Sequence, residues 1–378
     1  MHVQAQPLRI VFAAAMLALA AGAAKGCQIC AAALIVTPGQ QLDAADEAVL
    51  ALPLAGANRF RIVEVVKGND VDKGRLITEE VLRGADALAS GKPLLLLRDA
   101  LVQRWSSLGA IGAEHAGWLR RLAATGTAGR SRTKASWPRT TQALSEPTDA
   151  QWRERVALVL PYLEHPEPLV AEIAYGELAR APYAALRTLK PQLNAAKIAA
   201  WIDNPRLAAR RSTYLLLLGI AGGEDDAARL DKRIDAAWRA REATDLAAML
   251  AADLELRGPS RVGWIEEAYF ADHNRTLPEI EAALLALNVH GGADAAVPRK
   301  RVIEAYRRFI RERKAMAGFV AQQLADWEYW DATADYVALL ESDAVKDPAS
   351  HFAVVNYLHR SPLAAAKAAL RSFGSEPR

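Results

Sequence analysis

Two cysteines, Cys27 and Cys30, have the spacing in this sequence that is most typical of chemistry. A Cys-x-x-Cys pair can carry a redox disulfide, attach haem or supply part of a zinc site. Haem attachment requires a histidine directly after the second cysteine, and Ala31 occupies that position. A zinc site requires two further ligands, and no second group of cysteines or histidines in the sequence supplies them.

Three interpretations of this pair stay open. A thiol redox function would use both cysteines, although a thioredoxin-like pair normally follows a strand and opens a helix. A lipid anchor would acylate Cys27, which follows Gly26, although Lys25 departs from the small residue expected there. Otherwise Cys27 and Cys30 form a local disulfide or stay ordinary thiols in an oxidising compartment.

Other polar groupings have local structural explanations. Asp272, His273 and Asn274 in "FADHNRT" suit a loop between helices, where such residues form turns and caps. His351 and His359 could share a helix face, with one packed and the other in solvent. The motifs of serine hydrolases, zinc proteases and nucleotide-binding enzymes are missing from the sequence. We therefore expect no catalytic residue, no metal and no cofactor.

Aromatic residues near the C-terminus are the best candidates for a binding surface. Two tryptophans and two tyrosines within a short stretch can pack between helices, which is the more common role, or line a groove for a partner. Three arginines precede them and could bind an anionic group. The candidate binding surface comprises Arg307, Arg308, Arg311, Trp327, Tyr329, Trp330 and Tyr336.

The helices that must position these residues recur at regular intervals. Proline suits the first turn of a helix, because the N–H that it lacks would be unpaired there. Such starts recur at about 35–37 residues or twice that interval, which is typical of stacked helical hairpins. They lie at Pro168, Pro205, Pro278 and Pro348. Further helices are predicted at 151–165, 243–258, 299–313, 314–329 and 331–342.

The proline-led helices in "HPEPLVAEIAYGELAR", "DNPRLAARRSTYLLLLG" and "KDPASHFAVVNYLHR" make residues 151–373 resemble divergent HEAT repeats. The resemblance implies an α-solenoid whose broad surface binds another protein or a peptide. Stacked hairpins seldom bring several polar groups together on one atom, which favours binding over catalysis. An irregular all-helical domain is the alternative.

The segment before these helices has a β pattern. Short apolar runs at 32–37, 47–54, 58–68, 74–82 and 92–99 are separated by Gly, Pro, Asn and Asp, which predicts a small antiparallel barrel or sandwich. A closing helix is predicted at 114–124.

Several features of this segment are similar to the netrin-like and tissue-inhibitor-like OB barrels of secreted proteins. They are the early cysteines, "ADEAVLA" at 45–51, Phe60 leading into Glu64–Gly68, and "GKPLLLL" at 91–97. That family holds its barrel together with further cysteines, which this chain lacks, and the family's protease-inhibiting terminus is not matched by the Cys27–Cys30 segment. No inhibitory residue is therefore carried over.

The N-terminus resembles a secretory signal peptide. Arg9 precedes an apolar run from Ile10 to Ala24, which is too short for a membrane span of ~20 residues. Cleavage after Ala23 or Ala24 would release an exported chain, periplasmic or extracellular, with no transmembrane span. Anchoring through Cys27 would make it an outer-envelope lipoprotein.

The predicted organisation is a signal peptide (1–24), a small β-rich OB-like domain (25–124), a linker rich in Gly, Ser, Thr and Pro (125–150), and a HEAT-like helical domain (151–378). Basic residues around Trp137 in the linker are interpreted as a solvated loop. An apolar content of 52% argues against disorder, and a net charge of +3 does not favour nucleic acid as a partner. We predict an α+β multidomain, non-catalytic binding or scaffold protein whose partner is a protein or peptide.

Overall fold

The computed structural model describes residues 29, 36–54, 59–69, 72–78, 91–99, 103–126, 147–292, 295–345 and 347–375. Most of these residues are helical, and a curled antiparallel half-barrel sheet precedes most of the helices, so the chain is α+β. The fold divides into two compact units after Ala185. The predicted signal peptide, Cys27, Cys30 and residues 127–146 of the predicted linker lie outside the described residues.

The first unit contains the sheet. Its strands are β1 (Glu47–Pro53), β2 (Arg59–Lys67), β3 (Leu76–Thr78), β4 (Leu94–Arg98) and β5 (Trp105–Ala110). They lie in the order β3-β2-β1-β4-β5, with every neighbouring pair antiparallel, so β1 is central.

Both faces of the central strands are covered, which explains why β1 and β4 are nearly continuous apolar runs. Side chains alternate between the two faces of a strand. One face carries the core cluster Val49, Ala51, Phe60, Ile62, Val65, Ile77, Leu94 and Leu96. Intervening residues such as Leu50 and Leu95 are fully buried on the opposite face.

Among the described residues, the helices of the first unit are α1 (Pro38–Ala44), α2 (Ala116–Thr125), α3 (Asp149–Val159) and α4 (Pro168–Arg180), with a 3₁₀ turn at Ala113–His115 and another at Leu160–Tyr162. The closing helix predicted at 114–124 is confirmed by this turn and α2. Helix α2 contacts β2, and the Arg120 guanidinium donates to the Val65 carbonyl at 2.8 Å. Helices α3 and α4 belong to the same compact unit as the sheet, whereas the sequence pattern assigned them to the helical domain.

The end of the strand predicted at 32–37 is wrong. Thr37 is instead the N-cap of α1: its hydroxyl accepts the Gln40 N–H, and the Gln40 side chain accepts the Thr37 N–H. This reciprocal capping, with Pro38 in the first turn, outweighs the β preference of Val36 and Thr37.

The second unit is helical throughout the residues described. Helix α5 (Tyr183–Arg187) lies at the boundary in the sequence. The following helices are α6 (Ala195–Asp203), α7 (Arg211–Ala221), α8 (Glu224–Ala240), α9 (Leu246–Arg257), α10 (Val262–Ile265), α11 (Leu277–Asn288), α12 (Arg299–Glu312), α13 (Ala321–Asp326), α14 (Thr333–Glu341), α15 (Pro348–Arg360) and α16 (Ala364–Ser375). Shorter 3₁₀ segments lie at Lys190–Gln192, Pro205–Arg210, Gly258–Arg261 and Lys314–Val320, and a π-helical turn at Glu266–Ala271.

The predicted helix starts are confirmed at Pro168, at Pro278 in the first turn of α11, and at Pro348. Pro205 opens a 3₁₀ segment that continues into α7. Along this part of the chain, α7 contacts α9 and α9 contacts α11. Among the described residues, no helix is long and apolar enough to cross a membrane.

Candidate functional site

The candidate site is an open cleft of about 430 Å³ in the second unit. Three elements form it: one face of α11, the middle of α12, and the 3₁₀ segment at 314–320 with the start of α13. The lining residues are Glu281, Leu284, Leu285, Asn288, Tyr306, Phe319, Val320 and Gln323. The spacing of Glu281, Leu284, Leu285 and Asn288 places them on one face of a helix, which explains how α11 supplies half of the cleft.

Tyr306 links the cleft to the predicted aromatic surface. Its ring lies parallel to Trp327, with centroids 5.8 Å apart, and the Arg299 guanidinium lies 5.3 Å from the centroid of the Trp327 ring. Trp327 also packs on Gly291, where an added Cβ would overlap the indole. Burial raises the pKa of Tyr306, so its hydroxyl stays protonated and donates weakly to the Leu284 carbonyl at 3.5 Å.

The other predicted aromatic residues pack away from this cleft. Tyr336 is fully buried and its hydroxyl donates to the Ala317 carbonyl at 3.1 Å. Trp330 is half-buried against Tyr357, and the Tyr357 hydroxyl donates to the Tyr329 carbonyl at 2.6 Å. Tyr336 therefore belongs to the helical core, and of the four predicted aromatic residues Trp327 is the one stacked on a cleft residue.

The three predicted arginines differ in their partners. Arg308 pairs with Glu266 at 3.3 Å and with Glu267 at 2.6 Å. Arg307 lies 3.9 Å from Asp335, and Arg311 is exposed. Arg308 therefore connects α12 to the π-helical turn, and Arg311 is the most accessible of the three to a partner.

The remaining polar groups singled out in the sequence have structural roles or lie outside the described residues. Asp272 accepts the Asn274 N–H at 3.0 Å and pairs with Arg275 at 2.8 Å, which confirms the predicted loop structure. His351 is half-buried and His359 exposed on α15. The basic residues around Trp137, in contrast, lie outside the described residues. They are Arg130, Arg132, Lys134 and Arg139.

A buried charge cluster in the first unit was not visible in the sequence. Arg155 is fully buried, donates to both Asp43 carboxylate oxygens at 2.9 and 2.8 Å, and pairs with the buried Glu177. Arg180 also reaches both acids, at 3.0 and 2.8 Å, and its guanidinium lies over the Trp152 ring. Burial raises the pKa of Asp43 although Arg155 opposes it. Because α1, α3 and α4 supply these charges, the cluster fastens three helices together.

The described residues contain one group that could hold a metal ion, formed by Glu114, His115 and Glu167 in the first unit. The adjacent residues Glu114 and His115 are only a weak signal of a metal site in the sequence. No sequence pattern predicts that Glu167 lies close to them.

The cleft itself offers carbon surface from Leu284, Leu285 and Phe319, with one carboxylate and two amide groups around it. Such a lining suits the binding of an apolar side chain, with hydrogen bonds at its edge. Comparisons of the chain with protein-family models, curated proteins and solved structures give no significant match. A function must therefore be inferred from the residues of this chain.

Proposed function

We propose that this chain is an exported, non-catalytic binding module, in which an OB-like β domain precedes a HEAT-like helical array that holds a partner protein or peptide. The observation that carries the proposal is the open apolar cleft beside Tyr306. Its volume of about 430 Å³ lies within the ~300–1,000 Å³ typical of ligand pockets. A helical array is a common scaffold for such a surface.

The partner that fits is an acidic peptide carrying an apolar anchor residue. Helix α12 supplies Tyr306 to the cleft, and the segment 299–314 that contains it carries eight Lys or Arg and two Glu residues. Although several of these cations pair internally, Lys300, Arg311 and Lys314 are exposed. An excess of exposed positive charge attracts an acidic partner and speeds its association.

A selection of displayed random peptides on the full-length protein tests this function. We expect enriched peptides to combine a large apolar residue with neighbouring Asp or Glu, and to bind more weakly as salt rises. A Leu285→Glu substitution places a negative charge in the cleft and should weaken their binding at least tenfold.

The matched control is Leu363→Glu, at an apolar residue that is 42% exposed and does not line the cleft. It should leave peptide binding unchanged, and both variants should keep the wild-type helical circular dichroism. Peptides without acidic residues, or equal loss of binding in both variants, would contradict the proposed function.

A further inference from the structure

Glu114, His115 and Glu167 bring one imidazole and two carboxylates together in the first unit. One ligand atom from each lies within 4.8 Å of the others. Glu114 and His115 belong to the 3₁₀ turn between β5 and α2, and Glu167 is the N-cap residue of α4. The group thus joins the end of the sheet to a helix more than fifty residues further along the chain.

The imidazole is buried but incompletely satisfied. His115 is 7% exposed, and its Nε2 atom has no hydrogen-bond partner among the described residues. Glu167 Oε1 lies 3.7 Å from this nitrogen, which is too long for a hydrogen bond. Aromatic neighbours hold the ring in place, with centroid distances of 6.3 Å to Trp118, 6.0 Å to Tyr162 and 5.0 Å to His165. A buried ring nitrogen without a hydrogen-bond partner calls for an explanation, such as a bound ion or an ordered water.

Gly112 gives both carboxylates their positions. Its N–H donates to Glu167 Oε2 at 2.9 Å, which leaves the other oxygen of that carboxylate towards His115. The Glu114 carboxylate lies back over Gly112, at a place that a Cβ on residue 112 would overlap. The absence of a side chain at residue 112 is therefore what allows the Glu114 carboxylate to approach.

We propose that Glu114, His115 and Glu167 form a binding site for a divalent zinc-class ion. An imidazole nitrogen with two carboxylate oxygens is a donor set that Zn²⁺ accepts, and three protein ligands leave a fourth position for water. Mg²⁺ and Ca²⁺ favour sites made of oxygen ligands alone, so the imidazole selects against them. His165 is not among the ligands, since its Nδ1 accepts the Glu167 N–H at 3.1 Å.

Lys92 is the competitor for this site. Its ammonium lies 2.8 Å from Glu167 Oε1, and the side chain is 44% exposed. An ion bound to that oxygen must displace the Lys92 ammonium. Because the lysine side chain is exposed, it can rotate into solvent. Removal of the Lys92 charge should therefore tighten metal binding at this carboxylate.

Zinc and cobalt titrations of the untagged full-length protein test the site. We expect one equivalent of Zn²⁺ per chain, competition by Co²⁺, and a cobalt spectrum without thiolate charge transfer, which separates this site from Cys27 and Cys30. Glu114→Gln should weaken binding at least tenfold, and Lys92→Gln should tighten it about threefold or more.

The matched control is Glu172→Gln, at an exposed glutamate on α4 outside the group, which should bind zinc as the wild type does. Gly112→Ala displaces the Glu114 carboxylate and should weaken binding without removing a ligand. Bound zinc should also raise the melting temperature, since it stabilises the folded state by mass action. Absence of a stoichiometric zinc site, equal affinity of Glu114→Gln and wild type, or weaker binding by Lys92→Gln would each overturn the proposal.

Discussion

Glu279 is a fully buried carboxylate in the second unit that accepts hydrogen bonds from Thr276 and Arg275. It occupies the third position of α11 and accepts the Thr276 N–H at 2.9 Å and hydroxyl at 2.8 Å. Arg275 pairs with the other carboxylate oxygen at 3.0 Å. Burial by itself would raise the pKa of Glu279, but these donors outweigh it and hold the pKa below its usual value.

Because the pKa of Glu279 is lowered in the folded state, the ionised carboxylate stabilises the fold. A carboxyl group whose folded pKa lies below its unfolded value of 4.5 stabilises the fold fully above that pH. The stabilisation is lost as the pH falls through the folded pKa. Glu279→Gln should therefore lower the free energy of unfolding at pH 7 by about 2 kcal/mol, the scale of hydrogen bonds to a charged group.

Urea unfolding at several pH values measures this difference, which should shrink as the pH is lowered past 4.5. Glu281→Gln, two residues further along the same helix and exposed, is the control and should change stability little at any pH. A difference between Glu279→Gln and wild type that stays constant from pH 7 to the acid limit would show that the charge of Glu279 is not what stabilises the fold.

Helices α7 and α9 approach each other so closely that one position has room for nothing larger than glycine. A Cβ added at Gly219 would lie 2.6 Å from the Ala252 Cα and 3.1 Å from its carbonyl oxygen. The contact is with backbone, which cannot rotate away as a side chain can. All four leucines of α7 that precede this glycine are buried, so the helix is surrounded by other elements.

Gly219→Ala should destabilise the second unit by about 1–3 kcal/mol, because the added methyl group overpacks the helix contact. A helical glycine with open space at its Cβ position behaves in the opposite way, since alanine there favours the helix by ~0.5–1 kcal/mol. Gly263→Ala in α10 supplies that comparison, as an added Cβ has nothing within 4 Å. Urea midpoints of the two variants should shift in opposite directions, and an unchanged or raised midpoint for Gly219→Ala would contradict the close contact.

At the scale of the molecule, the two proposed binding sites lie in different compact units. The zinc-class site uses residues of the first unit, and the peptide cleft uses residues of the second. Failure of one proposal therefore leaves the other standing. The proposed export is a third, separate proposal, which rests on the sequence of residues 1–24.

Mass spectrometry of the mature N-terminus tests export. In bacteria that express the chain with its own N-terminus, we expect the periplasmic protein to begin at Ala24 or Lys25. Leu17→Arg interrupts the apolar run and should leave uncleaved protein in the cytoplasm. An acylated Cys27 would instead establish the lipid anchor, and uncleaved wild-type protein in the cytoplasm would exclude export.

Local sequence signals predicted the elements well where one segment suffices to form them. The helix starts at Pro168, Pro278 and Pro348 and the three strands β1, β2 and β4 follow from caps, prolines and apolar runs within a few residues. Strand β5 was not predicted, because "WSSLGA" is poor in β-branched residues and contains two serines and a glycine. Its pairing with β4 creates it, and Gly109, at a φ of 130°, accommodates the bulge beside Leu95.

By itself the sequence determined where most helices and strands begin, since capping and apolar periodicity act over one or two turns. Only the tertiary structure decided which distant side chains meet. Asp43 and Arg155 are 112 residues apart in the chain, and the imidazole of His115 finds Glu167 through the packing of a turn against a helix. No local sequence pattern predicts these contacts. The free energy that brings the two segments together comes from the burial of whole helices and strands, and not from the few residues that end up in contact.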